Sequence, residues 1–256
     1  MKSIQSDGRK IALLGIFRSG TNFTRTVMEW NYECQMVTDE FGWKHGFYPV
    51  VVERSKVRYP DIDVVFVTKS PFSTIASLYR YYTSNGRNII SSKDWKQFLT
   101  QRFVIYDYFQ KYSPQYRFAN VVDYWNSMNW NYYSVKRPGI TGVHVRYEDM
   151  LVTPLQSARS IADILKLSAR FINDDNFRVP EYVTRNMGDQ ERKTDSDYLT
   201  DMRFSHMPYE KREYLQLFDA DDINFVVRNL DIPLVSELGY MAEVITVGSL
   251  LDKQPE

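Results

Sequence analysis

An apolar run from Lys10 to Phe17 (KIALLGIF) stops at Arg18-Ser19-Gly20-Thr21-Asn22, and Phe23 to Glu33 then carries helical spacing. A buried strand that passes through a short glycine-containing loop into a helix commits the chain to packing that helix back onto a sheet. The loop also has a chemical consequence. The first backbone N–H groups of a helix have no intrahelical acceptor and lie at the positive end of its dipole, so the turn from Gly15 to Thr21 can cradle a phosphate or a sulfate. Gly20 lets the backbone curl close to such an anion, and Ser19, Thr21 and Asn22 add side-chain donors. An ordinary strand–helix turn is the other reading of the same letters.

The rest of the chain extends this pattern. Asp63 to Thr68 (DVVFVT) is a second buried strand, bounded by Tyr59-Pro60 and Ser70-Pro71. Pro71 is suited to the first position of a helix running to about Tyr82, with Ser70 as its N-cap. Asp94 to about Lys111 and Val121 to Lys136 are expected to be helical. Gly142 to Tyr147 (GVHVRY) is a third strand after the breaker pair Pro138-Gly139. Pro154 to about Leu167 forms another helix, with apolar positions at Leu155, Ala158, Ile161, Ala162 and Leu165. Asn173 to Phe204 is polar and irregular, and long stretches of that kind more often carry function than structure. Tyr209 to Leu230 returns to helical pattern, and the tail 250–256 is expected to fray. Strands separated by helices specify an α/β fold: a single domain with a central parallel sheet flanked by helices, its core spanning about residues 10–240 of 256.

Composition narrows the function. Thirty-two Lys and Arg are offset by 32 Asp and Glu, so the field of the whole molecule gives no reason to expect nucleic acid or an anionic membrane as partner. An anion must be met by local groups. The single cysteine, Cys34, cannot form an intramolecular disulfide, which fits a reducing compartment. The first ten residues lack a signal-peptide pattern and no run reaches the ~20 apolar residues of a membrane span. A cytoplasmic protein is expected. The unusual feature is 19 Tyr, 15 Phe and 5 Trp. Rings such as Trp125, Trp130 and the tyrosines beside them can line a pocket for a sugar or a phenol, and core packing accounts for them equally well.

The spacing from Gly15 to Gly20 mimics the nucleotide-triphosphatase loop G-x-x-x-x-G-K-[ST], but positions 21 and 22 are Thr and Asn. The lysine and the magnesium-binding hydroxyl are missing, which argues against ATP or GTP hydrolysis. The cation stands earlier, at Arg18. Phe17-Arg18-Ser19-Gly20-Thr21-Asn22-Phe23 resembles the first signature of the sulfotransferase family, Pro-Lys-Ser-Gly-Thr-Thr-Trp. The second signature of that family is Arg-Asn-Pro after a central strand, with a Ser eight residues beyond the Arg. Here Val64 to Val67 leads into Lys69-Ser70-Pro71, and Ser77 stands eight residues after Lys69.

Val145-Arg146-Tyr147-Glu148-Asp149-Met150 is similar to a Tyr-Glu-Asp element of the same family, and Leu238-Gly239-Tyr240 to its closing element. The resemblance implies a P-loop nucleoside triphosphate hydrolase-like fold and a donor, 3′-phosphoadenosine 5′-phosphosulfate. It implies that Arg18, Ser19, Gly20, Thr21, Asn22 and Phe23 hold the phosphosulfate end, that Lys69 and Ser77 hold the 3′-phosphate, and that Tyr147 lies near the adenine. Glu148 and Asp149 could instead cap the following helix. Arg192-Lys193 matches the late basic clamp of the family except that the usual Gly is absent, and a solvated charge run is its other reading.

Three histidines exist: His45, His144 and His206. His144, inside a strand, reads as structural. His45 follows Lys44 in the interval where many sulfotransferases carry Lys-x-His, so the resemblance implies that it takes the acceptor proton, with Asp39 and Glu40 as carboxylate alternatives. Neutral imidazole suits general-base work near neutral pH. The implied reaction is in-line movement of a sulfuryl group to a hydroxyl or amine of a small-molecule or glycan acceptor. It releases adenosine 3′,5′-bisphosphate, with Arg18 and His45 as catalytic residues and no metal. A P-loop kinase of a small metabolite and a non-catalytic nucleotide-binding protein of the same fold are the rival readings.

Overall fold

The computed structural model describes residues 8–38, 43–48, 50–53, 56–58, 62–84, 94–105, 116–135, 139–181 and 207–249. In chain order the elements are β1 (Arg9–Gly15), α1 (Thr21–Asn31), β2 (Cys34–Val37), β3 (Val50–Glu53), β4 (Lys56–Arg58), β5 (Val64–Thr68), α2 (Pro71–Ser84), α3 (Trp95–Thr100), β6 (Phe103–Ile105), β7 (Tyr116–Phe118), α4 (Val121–Tyr133), β8 (Gly142–Arg146), α5 (Tyr147–Val152), α6 (Pro154–Leu165), α7 (Met207–Glu210), α8 (Ala220–Asn229), α9 (Ile232–Glu237) and α10 (Met241–Gly248). Strands β2, β1, β5 and β8 form a parallel sheet in that order, and β3–β4 and β6–β7 are antiparallel ribbons. The fold is therefore α/β, with a central parallel sheet between helices. Among the described residues no helix is long and apolar enough to cross a membrane.

The sequence of β5, VVFVT, is buried along its whole length, as a central parallel strand covered on both faces requires. Its side chains alternate between two cores. Val65 and Val67 join Phe23, Val27 and Met28 of α1 and Ile161 of α6, whereas Val64 and Phe66 join Phe72 and Ile75 of α2 and Trp125 and Tyr132 of α4. Thus α1 covers one face and α2 the other. The chain leaves β1 towards β2 on one side and leaves β5 towards β8 on the other. Such a reversal opens a crevice at the carboxyl ends of the two strands, the usual ligand position in open α/β sheets. Register aligns the three relevant strand ends, since Gly15 pairs with Val67 and Thr68 with Arg146. The Arg18 loop, Lys69 and Tyr147 consequently emerge at one edge.

Several boundaries differ from the sequence expectation. The helix expected to reach Lys111 stops at Thr100, and Phe103-Val104-Ile105 pairs as β6 with β7. Phe103 and Ile105 are buried and Val104 is half-buried, so strand alternation wins over the helical spacing around it. The helix expected over Tyr209–Leu230 is broken by Phe218-Asp219: a 3₁₀ turn covers Glu213–Leu217, and Asp219 starts α8 with a reciprocal capping box to Asp222. Residues Ile16 and Phe17 belong to the loop after β1. The fourth strand of the sheet, β2, carried no clear signal because it is four residues long and includes exposed Gln35.

A candidate anion-binding site at the sheet edge

The first loop is folded tightly on itself. A Cβ on Gly15 would lie 2.5 Å from Ser19 Oγ and 2.8 Å from Val67 O, so only glycine lets β1 end this close to its own loop and its neighbour. Arg18 has φ 71° and Gly20 φ 90°, two left-handed residues within three positions. The left-handed conformation is strained for Arg and is kept only where surrounding contacts fix it. Those contacts are present: Phe17 N donates to Tyr124 Oη at 2.7 Å, Ser19 N to Ile16 O at 3.0 Å, and Lys69 Nζ to Arg18 O at 3.4 Å.

Helix α1 starts at Thr21 without a side-chain cap. Ser19 is fully buried, and among the described residues its Oγ has no hydrogen-bond partner. A buried hydroxyl left unsatisfied costs about 1–3 kcal/mol, and an anionic oxygen in the loop would relieve it. Beside the loop, Asn22 Oδ1 accepts from Lys44 Nζ at 2.7 Å.

At the second loop, the Lys69 side chain is 2% exposed. Its Nζ donates to Ser77 Oγ at 2.7 Å and lies 5.4 and 5.2 Å from the ring centres of Tyr147 and Tyr209. The helical path begun by Pro71 brings Ser77 back to the strand end, so the spacing of eight places cation and hydroxyl together. Among the described residues no carboxylate forms an ion pair with Lys69. A buried ammonium held by one hydroxyl, one carbonyl and two aromatic faces suits the arrival of an anion, because buried charge is costly unless compensated.

Tyr147 joins the two loops. A Cβ on Gly20 would fall 2.0 Å from Tyr147 Cδ2, so the ring lies directly against the glycine. It also meets Phe23 edge-on, with centres 6.1 Å apart. Neither Glu148 nor Asp149 caps a helix. Tyr-Glu-Asp itself opens α5 with Arg146 at the N-cap position, and α6 starts after Thr153. Asp149 instead pairs with Arg146 at 2.6 Å, and Arg146 bonds Gly239 O.

His45 packs on the other side of the first loop. It is 7% exposed, and its Nδ1 lies 2.7 Å from Gly15 O. A carbonyl only accepts, so Nδ1 carries the proton and Nε2 keeps its lone pair. Burial foremost, then the charges of Lys44 and Arg18, lowers the imidazole pKa to about 3, against the carbonyls of Gly15 and Ile16. His45 is therefore neutral at working pH. Phe17 and Trp43 meet its ring edge-on at 5.0 and 5.3 Å, and Phe17 also meets Tyr81, over whose ring Arg18 Cζ lies at 5.3 Å.

The structure thus brings Arg18, Ser19, Gly20, Thr21, Asn22, Phe23, Lys69, Ser77 and Tyr147 to one sheet edge, with His45 behind the first loop. Asp39, Glu40, Arg192, Lys193 and His206 lie outside the described residues. Trp125 is fully buried in the core, and its Nε1 donates to Lys69 O at 2.8 Å. Trp130 is on the surface and donates to Asp231. His144, on β8, stacks on Phe66. Sequence reasoning did not place Tyr81, Tyr124 or Tyr209 against the two loops. Tyr81 was within reach, since it stands one helical turn beyond Ser77. The other two contact the loops across more than a hundred positions, which leaves no local pattern. Among the described residues no cluster of three or more His, Cys, Asp or Glu could hold a metal.

No protein-family model matches the sequence, and no curated protein matches it either. Among solved structures the chain is similar to mouse sulfotransferase SULT7A1 complexed with PAP, at 16% identity over 96% of this chain and 89% of that one, with a TM-score of 0.39. A likeness of that degree carries no functional weight, and the reading that follows stands on the loops of this chain.

Proposed function

We propose that the chain is a sulfotransferase that moves a sulfuryl group from 3′-phosphoadenosine 5′-phosphosulfate to a hydroxyl or amine of a small-molecule or glycan acceptor in the cytoplasm. The observation that carries this reading is the pair of anion loops at the β1/β5 crevice, one ending in the buried Ser19 hydroxyl, which has no partner among the described residues, and the other in the buried Lys69–Ser77 pair. Two separate cradles suit a nucleotide with phosphates at both its 5′ and 3′ ends better than a single triphosphate. The absence of Lys after Gly20 weighs against a kinase.

In this reading Arg18, Ser19 and the N–H groups opening α1 receive the 5′-phosphosulfate, Lys69 and Ser77 the 3′-phosphate, and the ring of Tyr147 the base. As the bond from sulfur to the bridging oxygen breaks, negative charge grows on the departing phosphate, and a fixed guanidinium with helix-end N–H groups stabilises it more than in the ground state. Arg18 acts through charge and hydrogen bonding, since guanidinium does not release a proton at working pH. The acceptor loses its proton to His45 Nε2 as the new S–O or S–N bond forms.

The low basicity of His45 favours one second reading, a nucleotide-binding protein without turnover. Incubation with donor labelled in sulfur, against pools of sugars, phenols and lipids, separates the two. Label transferred to an acceptor supports the enzyme. Donor binding without transfer to any pool supports the second reading, and no donor binding removes both.

A further inference from the structure

Two acidic side chains with no part in that reading converge on the second loop from distant stretches of chain. Ser70 stands between Lys69 and α2, and each of its polar groups is engaged. Its N–H donates to Glu148 Oε1 at 3.0 Å, its hydroxyl donates to Glu243 Oε1 at 2.7 Å and accepts from Ser73 N at 3.3 Å, and its carbonyl accepts from Thr74 N at 2.8 Å. The two carboxyls are secured in turn. Tyr214 Oη donates to Glu243 Oε1 at 2.6 Å, and Tyr240 Oη donates to Glu148 Oε2 at 3.1 Å while lying 3.3 Å from Thr68 Oγ1. Each acidic residue is only partly covered as a whole, but its carboxyl end points inward, and burial raises both carboxyls above the usual carboxylate range.

The consequence lies in one peptide group. The bond between Lys69 and Ser70 is held at both of its polar ends: Lys69 O accepts from Trp125 Nε1 at 2.8 Å, and Ser70 N donates to Glu148. A planar peptide fixed at its oxygen and its N–H cannot rotate, and its plane sets the direction in which the Lys69 side chain leaves the backbone. Glu243, on α10, holds the hydroxyl of the same residue. Both donors of Ser70 are thereby consumed, so the serine itself offers none to an anion. We infer that Glu148 and Glu243 are positioning residues for the phosphate-reading pair Lys69–Ser77, and that α10 is a working part of this site. The inference rests on the donor reading above, because it assigns the 3′-phosphate to that pair.

The test compares affinity for adenosine 3′,5′-bisphosphate with affinity for adenosine 5′-monophosphate in the full chain. Destabilisation alone lowers both affinities together; loss of aim lowers their ratio. Glu148→Leu and Glu243→Leu are expected to reduce the wild-type ratio about tenfold, the scale of one buried hydrogen bond to a charged group. Glu148→Gln and Glu243→Gln keep an acceptor oxygen and should stay within about threefold of wild type. Ser70→Ala removes the hydroxyl that Glu243 holds and that accepts from Ser73 N but keeps the N–H held by Glu148, so it decides the Glu243 half if Glu243→Leu does not fold: it must lower the ratio. An unchanged ratio in a folded leucine variant overturns the brace for that residue, an unchanged ratio in Ser70→Ala overturns it for Glu243, and either leaves the donor reading intact. A wild-type protein that binds both nucleotides equally overturns both.

Discussion

Lys69 is a buried cation whose nearest polar company is the Ser77 hydroxyl, at 2.7 Å. If Lys69 and Ser77 read a 3′-phosphate, Lys69→Ala and Ser77→Ala should each weaken binding of adenosine 3′,5′-bisphosphate, by on the order of 1.5–3 kcal/mol for the charged hydrogen bond. Affinity for adenosine 5′-phosphosulfate should stay nearly constant, and calorimetry on the two nucleotides would reveal equal losses if the assignment were wrong. Arg18 and His45 make a second pair of predictions. Arg18→Ala and His45→Ala are expected to cut turnover roughly 10²–10⁴-fold. Arg18→Lys should retain substantial activity, and His45→Ala should leave donor binding intact. Because Lys44 and Arg18 are among the charges that depress the His45 pKa, an anion bound between them should raise it. Ring-proton NMR of His45 with and without bisphosphate would show that rise, or its absence.

At the scale of elements, the first loop was legible from its residues, and the second through its resemblance to a family signature whose spacing a helix makes physical. A strand feeding a glycine loop and a helix is a local pattern with fixed geometry, and the helix begun by Pro71 turns the resemblance's spacing of eight into proximity of Lys69 and Ser77. What holds those loops in shape was not legible. Tyr124 reaches Phe17 N from α4, Trp125 reaches Lys69 O from the next position, and Glu243 reaches Ser70 from α10. Each is a contact between elements whose distance in sequence gives no periodicity to detect. The break of the expected helix at Thr100 had a similar origin, since β6 exists through its pairing with β7. Gly20 lies at the meeting of α1 and α5, where φ is 90° and a Cβ would fall 2.0 Å from the Tyr147 ring. Gly20→Ala should therefore destabilise the chain by about 1–3 kcal/mol through backbone strain alone, and more once the ring is displaced. Urea unfolding checks this, and an unchanged midpoint would mean that Tyr147 does not rest on the glycine.

The whole molecule is electrically balanced, 32 basic against 32 acidic residues, and its stability responds to pH through groups whose pKa the fold shifts, the buried His45, Glu148 and Glu243 among them. His45, lowered from 6.5 to about 3, binds a proton more readily when the chain is unfolded. Its contribution is therefore present above about pH 6.5 and is lost as pH falls towards 3, at up to about 1.4 kcal/mol per pH unit. Glu148 and Glu243, raised by burial, act in the opposite sense, contributing most at low pH and losing that contribution as pH rises through their folded pKa values. The diagnostic is thus the difference between wild type and His45→Asn, whose stability curve should fall less steeply between pH 6 and 4. Parallel curves would show that His45 is not held neutral by the fold.

The central claim is that two anion cradles at the β1/β5 crevice receive one nucleotide phosphorylated at both ends, and it is tested most directly by titrating the full chain with adenosine 3′,5′-bisphosphate without metal and, separately, with ATP and magnesium. The account predicts saturable one-to-one binding of the bisphosphate and little or none of ATP; binding of ATP with magnesium and none of the bisphosphate would contradict it.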